Sequence, residues 1–323
     1  VSSTSATTQA VAHYRETGHA VLRGILDRER LARIHRQIAR QFSFSGVTDG
    51  SITDRGQLRY IARDDERPED FLLEVTARSQ DLEALYHAPA VLDAVSVIMN
   101  DNEVFVHPLK HLRAVPPELS QFSFPAGAHQ DFPELQGSMS QLTMWTPLFR
   151  TVPETGSLPV FQRDRDSVMP MMLDGNPSGW AIDKTFLAGE VRYDLHPGDV
   201  LVFNTFTPHG GARNGGDGIR VSPEARFQPL ADPVAEGVLA SPLIAESWAA
   251  HYEGWPEELA YYWRERHPST VPFDDTWERW RDIVAVDEAR RGNDAAYQAL
   301  VIAAHFARNE PTRREAKRLL GLT

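Results

Sequence analysis

HPGDVLVFNTFTPHGG, residues 196–211, decides how the rest of this chain is read. A Pro-Gly turn signal leads into a run of β-branched, aliphatic and aromatic residues, Val200 to Phe203, which ends in a second cluster of Thr, Pro and Gly. A short run bounded by such punctuation is a strand. The same pattern recurs in EVFVHPLKHLRAV (103–115), SMSQLTMWTPLFR (138–150) and IRVSPEARFQPL (219–230), and Gly189, Gly198, Gly210 and Gly211 mark bends or close approaches. Regular crossover helices, which a parallel sheet requires, do not separate these runs. The expected class is therefore α+β with a mainly β core: a double-stranded β-helix, or jelly roll, of cupin-like form.

Outward from this core the patterning turns helical. Residues 9–18 (QAVAHYRETG) read as a helix stopping at Gly18, and HAVLRGIL as a short strand and turn. Asp27 caps a helix whose stripe is Leu31, Ile34, Ile38 and Phe42. Residues 43–70 are polar and read as a surface excursion, and residues 70–99 as helix interrupted near Pro89. Past residue 231 the chain is helical again and rich in Trp and Tyr, with Trp277, Trp280, Ile283 and Val284 forming one stripe. These aromatics are expected to pack against the β core, the alternatives being a dimer surface or a lid over substrate. The expected organisation is a disordered Ser/Thr tail (1–8), a β-core domain with supporting helices (9–230), and a helical extension (231–323).

Composition excludes several function classes. The 323 residues include no cysteine, which removes disulfides, thiolate zinc sites, iron–sulfur clusters and cysteine nucleophiles. A formal net charge of -12 speaks against binding bare nucleic acid. No run approaches the roughly eighteen apolar residues of a membrane helix. VSSTSATTQA lacks the basic segment and apolar core of a signal peptide. The expectation is a cytoplasmic protein, monomer or homodimer, acting on a small molecule.

In AHQDFPE (128–134), His129 and Asp131 lie two positions apart, and in extended backbone such residues point to one side. Among twelve histidines a single His-x-Asp pair is weak. His209, at the end of the strand read first, supplies a third ligand. Two His and one carboxylate make the facial triad of non-haem Fe(II) oxygenases, although zinc accepts the same set. Arg220, eleven positions beyond His209, opens the next strand. Its planar fork suits a carboxylate, such as the distal carboxylate of 2-oxoglutarate. Arg226 is a second candidate, for cosubstrate, substrate or structure.

These four residues, with their flanking segments, resemble the phytanoyl-CoA dioxygenase family of Fe(II)/2-oxoglutarate oxygenases over about residues 10–230. ETGHAVLRGILDRERLARI, LTMWTPLFRTVPETGSLPVF and HPGDVLVFNTFTPHGGARN carry the likeness. The resemblance implies Fe(II) held by His129, Asp131 and His209, with 2-oxoglutarate and O2 as cosubstrates and Arg220 on the far carboxylate. It implies decarboxylation to succinate and CO2 coupled to oxidation of a substrate C–H. Thr143 and Lys110 are candidate contacts to the cosubstrate; Phe132, Trp145, Arg226 and His107 are candidate contacts to the substrate. Halogenating relatives carry a small residue in place of the carboxylate, so Asp131 favours hydroxylation of a small polar metabolite or natural-product intermediate. Two departures fall beside the expected substrate region: Thr155 stands where the family often has Asn, and VFQRDRDSVMP lacks a matching His. Rival readings are a metal hydrolase or isomerase on the same fold, and an inactive binding protein.

Overall fold

A computed structural model describes residues 3–63, 79–118, 126–162, 166–176, 178–240 and 247–322. The first helix, α1 (Ser3–Thr17), starts at Ser3 and not at residue 9, so most of the expected Ser/Thr tail is its first turns. Gly18, at positive φ, turns the chain into β1 (His19–Leu22). Asp27 caps α2 (Arg28–Ser45) by accepting the Arg30 N–H, and Leu31, Ile34, Ile38 and Phe42 are buried as the stripe predicts. After β2 (Leu58–Arg59), α3 (Gln80–Tyr86) and α4 (Pro89–Met99) are separated by the break before Pro89, whose ring suits the first helical turn.

The remaining strands of the major sheet are β3 (Val104–Val106), β4 (His111–Val115), β5 (Leu142–Trp145), β8 (Val200–Asn204) and β9 (Gly218–Pro229). The sheet runs β1-β8-β5-β9-β2, with β3 and β4 also pairing β9, and its pairings are all antiparallel. Val200 and Val202 point to the helices, Leu201 and Phe203 to the interior of the roll. Burial on both faces explains why β8 reads as an unbroken apolar run.

The opposite layer is held by single bridges more than by ladders. The hairpin β6 (Met171–Leu173) and β7 (Trp180–Ile182) leads, through Ile182 N–H to Ala128 O, to His129, then His209, Val160 and Val191. The two layers face each other as in a jelly roll, without closing into a continuous barrel. Trp145, Leu158, Val160, Leu195, Leu201 and Phe203 fill the space between them.

The chain beyond residue 231 packs on this core. β10 (Val234–Ala235) pairs with β11 (Thr270–Val271), and Trp248, Tyr252 and Trp263 cluster with Phe105 and Leu135. The helices α5 (Thr276–Arg290), α6 (Tyr297–Phe306) and α7 (Glu310–Leu320) stack on one another, and α5 and α6 pack on the β6–β7 hairpin. Gly179, at φ +77°, fits against Ala299, where a Cβ would lie 2.8 Å from backbone. The expected stripe on α5 is corrected here. Its buried face is Arg281, Asp282, Ala285 and Val286, whereas Ile283 and Trp280 are exposed. An Arg281–Asp282 ion pair at 2.8 Å lets charged side chains occupy that face.

Candidate metal centre

His129 and His209 are opposite one another in an antiparallel bridge, each donating its N–H to the other's carbonyl at 2.7 and 2.9 Å. That pairing sets the two side chains next to each other, with ring centroids 4.4 Å apart. The glycine after His209 permits the approach, because a Cβ on Gly210 would stand 3.0 Å from Ala128 Cα. Asp131 starts a one-turn helix, Phe132–Leu135, but its carboxylate makes no capping bond and is left for other work.

The ligand atoms of His129, Asp131 and His209 all lie within 4.8 Å of one another. Each imidazole uses Nδ1 on a backbone carbonyl, His129 on Gly127 at 2.8 Å and His209 on Thr207 at 3.1 Å. Those bonds fix the tautomer with Nδ1 protonated and leave both Nε2 lone pairs for a metal. Burial, with the charge of His129, lowers the His209 pKa to about 3, so this ring is neutral and ready to ligate. Burial alone would push the Asp131 carboxyl up. The Arg226 charge, both imidazoles and the Thr143 hydroxyl outweigh it and hold the group well below the usual carboxylate range. Two imidazoles and one carboxylate are the donor set Fe(II) takes in a facial triad.

A pocket next to the triad is lined by His129, His209, Leu158, Arg113, Glu224 and Arg220. Arg220 is 3% exposed. It donates to Ser222 Oγ at 3.1 Å, lies over the Trp145 ring at 5.8 Å, and keeps Nε without a partner. Among the described residues no carboxylate comes within ion-pair distance of it. Burial and the nearby Arg113 charge lower its pKa to about 10, still protonated at neutral pH. Arg226 is buried too and its Nε and Nη1 also lack a hydrogen-bond partner, but its charge is paired, with Nη2 at 3.2 Å from Glu224 and 3.6 Å from Asp131. Of the two arginines, Arg220 is the one waiting for an anion.

Several expected contacts are redirected. Thr143 Oγ1 donates to Asp131 Oδ2 at 2.5 Å, so it orients the carboxylate and not the cosubstrate. Lys110 is removed from the site: its Nζ is buried against Glu83 at 2.9 Å, the His107 carbonyl at 2.6 Å and the Tyr262 hydroxyl at 2.8 Å. The His107 ring meets Gln228 at 2.8 Å beside Arg226. Trp145 is fully buried beneath Arg220 in the core between the layers and lines no described cavity. Phe132 stacks on Phe206 and lines a separate apolar cleft. Arg163 and Arg165, two further arginines that could meet a substrate anion, fall outside the described residues. Glu224, two positions before Arg226 on β9, and His111, paired with Glu224 from β4, were not anticipated.

The phytanoyl-CoA dioxygenase family matches residues 14–222, which include the whole triad and Arg220. The chain belongs to the phytanoyl-CoA dioxygenase family. The cofactors of this family member are accordingly Fe(II), with 2-oxoglutarate and O2 as cosubstrates, and the triad suits that metal. A search of the curated proteins finds no match. Among solved structures the chain is similar to the epimerase SnoN in complex with Fe3+, alpha ketoglutarate and nogalamycin RO, at 17% identity and TM-score 0.52, covering 72% of this chain and 87% of that one. It is similar to the non-heme monooxygenase ThoJ at 15% identity and TM-score 0.50, covering 70% and 79%. EvdO2 from Micromonospora carbonacea var. aurantiaca, complexed with 2-oxoglutarate, aligns at 18% identity and TM-score 0.49, covering 70% and 91%. At these identities the likeness concerns the fold and leaves the reaction open. No described helix is long and apolar enough to cross a membrane by itself.

Proposed function

We propose that this Fe(II)/2-oxoglutarate-dependent enzyme hydroxylates an aliphatic C–H of a small molecule, such as a natural-product intermediate. His129, Asp131 and His209 would hold the iron, the imidazoles through the nitrogens left free by their backbone hydrogen bonds and Asp131 through its carboxylate. Arg220 receives the distal carboxylate of 2-oxoglutarate. The observation that carries this reading is the unmatched Arg220 guanidinium in a pocket walled by both ligand histidines. A buried cation without an anion is costly, and a bidentate carboxylate relieves it. When bound, the iron and cosubstrate supply oxidising power for C–H cleavage, with succinate and CO2 as coproducts. The chain's own part is positional. Gly127 and Thr207 carbonyls aim the imidazoles, Thr143 and Arg226 fix the carboxylate, and the Trp145–Leu158–Phe203 cluster keeps water from the interior. Asp131 fills the position that halide occupies in halogenating relatives, which favours oxygen transfer.

The test is anaerobic titration of Fe(II)-loaded protein with 2-oxoglutarate. A visible charge-transfer band requiring both supports chelation; iron binding without the band points to a metal hydrolase or isomerase instead. His129→Ala and His209→Ala are expected to abolish the band while leaving the fold. Hydroxylation itself is checked by oxygen-dependent succinate release coupled to a product heavier by one oxygen atom.

A further inference from the structure

The segment that carries His129 and Asp131, two of the three ligands, is bounded by two cavities of opposite character. His129 lines the pocket of Arg220. Phe132, one residue past Asp131, lines an apolar cleft of about 510 Å3. That volume lies within the range of small-molecule sites, roughly 300–1,000 Å3. The other apolar walls are Pro133, Val168, Met171, Trp277 and Trp280. Val168 is 43% and Trp280 37% exposed, so large apolar groups stand in water around a concavity.

The polar groups of the cleft are committed to one another. Gln136 Nε2 donates to the Asp274 carbonyl at 2.7 Å, and the Asp274 N–H donates to Gln136 Oε1 at 2.8 Å. The Asp274 carboxylate accepts from the Thr276 N–H at 2.9 Å and from its hydroxyl at 2.5 Å. The cleft therefore suits an apolar body and discriminates against a charged one.

Both walls are tied to the metal-bearing segment. Gln130, between the two ligands, donates to the Ser167 and Phe206 carbonyls at 3.1 and 2.7 Å and accepts from the Met169 N–H at 2.8 Å, which fixes the backbone around Val168. On the other side Trp277 meets Trp180 with centroids 5.5 Å apart, and Trp180 meets the His129 ring at 6.1 Å. Trp277 and Trp280 lie beyond the residues matched by the family, so this wall is an addition of the C-terminal helices.

We propose that the cleft seats the apolar part of the substrate. The substrate is then an amphipathic small molecule whose ring system or alkyl chain rests on Phe132, Val168 and Trp280, with its oxidisable C–H at the Asp131 end. The proposal rests on the oxygenase reading.

N-phenyl-1-naphthylamine, a neutral apolar fluorophore, tests it. Titrated into iron-free protein it is expected to bind saturably with blue-shifted emission. Val168→Asp and Trp280→Ser, both at exposed positions, are expected to weaken binding at least tenfold with an unchanged unfolding midpoint. No saturable binding, or equal binding by parent and both variants, overturns the cleft as a site. In the anaerobic Fe(II)–2-oxoglutarate complex, saturating probe is expected to shift the charge-transfer band of the parent and not of Val168→Asp. A band that ignores bound probe overturns the substrate assignment. If iron binds but no band forms, the oxygenase reading falls and takes the substrate assignment with it, while the iron-free titration still reports on the cleft.

Discussion

Replacing Arg220 with Met is expected to move cosubstrate affinity and stability in opposite directions. The side chain is 3% exposed, and among the described residues it forms no ion pair and has Ser222 as its one hydrogen-bond partner, with Trp145 below. Without cosubstrate, its burial is a net cost of several kcal/mol before relaxation, which losing the Ser222 bond offsets by only about 1 kcal/mol. Met keeps much of the volume, so the cosubstrate-free variant should unfold at the same denaturant concentration as the parent or higher. Truncating one partner of a buried charge pair costs about 2–5 kcal/mol in binding, or roughly 30- to 4,000-fold. The 2-oxoglutarate Kd, measured anaerobically with Fe(II) present, should rise by that factor. Arg226→Met is the contrast. It removes the arginine shared by the buried carboxylates of Glu224 and Asp131, so it should destabilise the protein by about 3–5 kcal/mol. An Arg220→Met protein that binds 2-oxoglutarate within threefold of the parent would refute the anion assignment. One that unfolds as readily as Arg226→Met would refute the claim that Arg220 is unmatched.

Thr143→Val removes the 2.5 Å bond to Asp131 with little change of shape, and Fe(II) or Mn(II) affinity should fall about 10- to 100-fold by calorimetry. Burial pushes the Glu83 carboxyl up, but the Lys110 charge and His87 overcome it and hold its pKa at about 2. The folded state thus binds fewer protons than the unfolded one below the ordinary carboxylate pKa. Its stabilisation is complete above pH 4.5 and is lost as pH falls toward 2, a change of about 3 kcal/mol. Glu83→Gln should flatten the acid limb of a stability–pH profile over that window, and an unaltered limb would count against the pair. Gly179→Ala forces a Cβ to 2.8 Å from the Ala299 backbone at φ +77°, so urea unfolding should show a loss of about 2–5 kcal/mol, the sum of left-handed strain and overpacking. A neutral outcome would mean that α6 does not dock on the hairpin as described.

What the sequence disclosed and what it hid follow from how each signal is built. The α2 stripe of Leu31, Ile34, Ile38 and Phe42 and the β8 run were legible because local period and burial agree there. The triad was legible because His-x-Asp and a strand-ending His are compact patterns. The α5 stripe misled because a helix presenting alanines and an internal Arg281–Asp282 pair to its neighbours leaves its larger apolar residues outside. Lys110 misled for a related reason: its partner Glu83 lies 27 residues earlier on another element, and pairing at that range leaves no local trace.

β9 is the most instructive case. Arg220, Ser222, Glu224, Arg226 and Gln228 alternate with Ile219, Val221, Pro223, Ala225 and Phe227. In a half-exposed strand the polar set would face water. Here all twelve residues are buried, the apolar set packs toward the helices, and the polar set faces the roll interior. The five side chains there fall into separate pairings: Arg220 with Ser222, Arg226 with Glu224 and the metal-ligand candidate Asp131, and Gln228 with His107. Alternation thus gave the register of the strand and concealed which side was solvent. The clue was available in the residue types: a solvated strand face has no reason to alternate Arg with Glu and Gln in one row, whereas a buried face has to be internally paired. Of the two arginines in that row, Arg220 is the one without an acidic partner among the described residues, and it is the one that calls for a ligand.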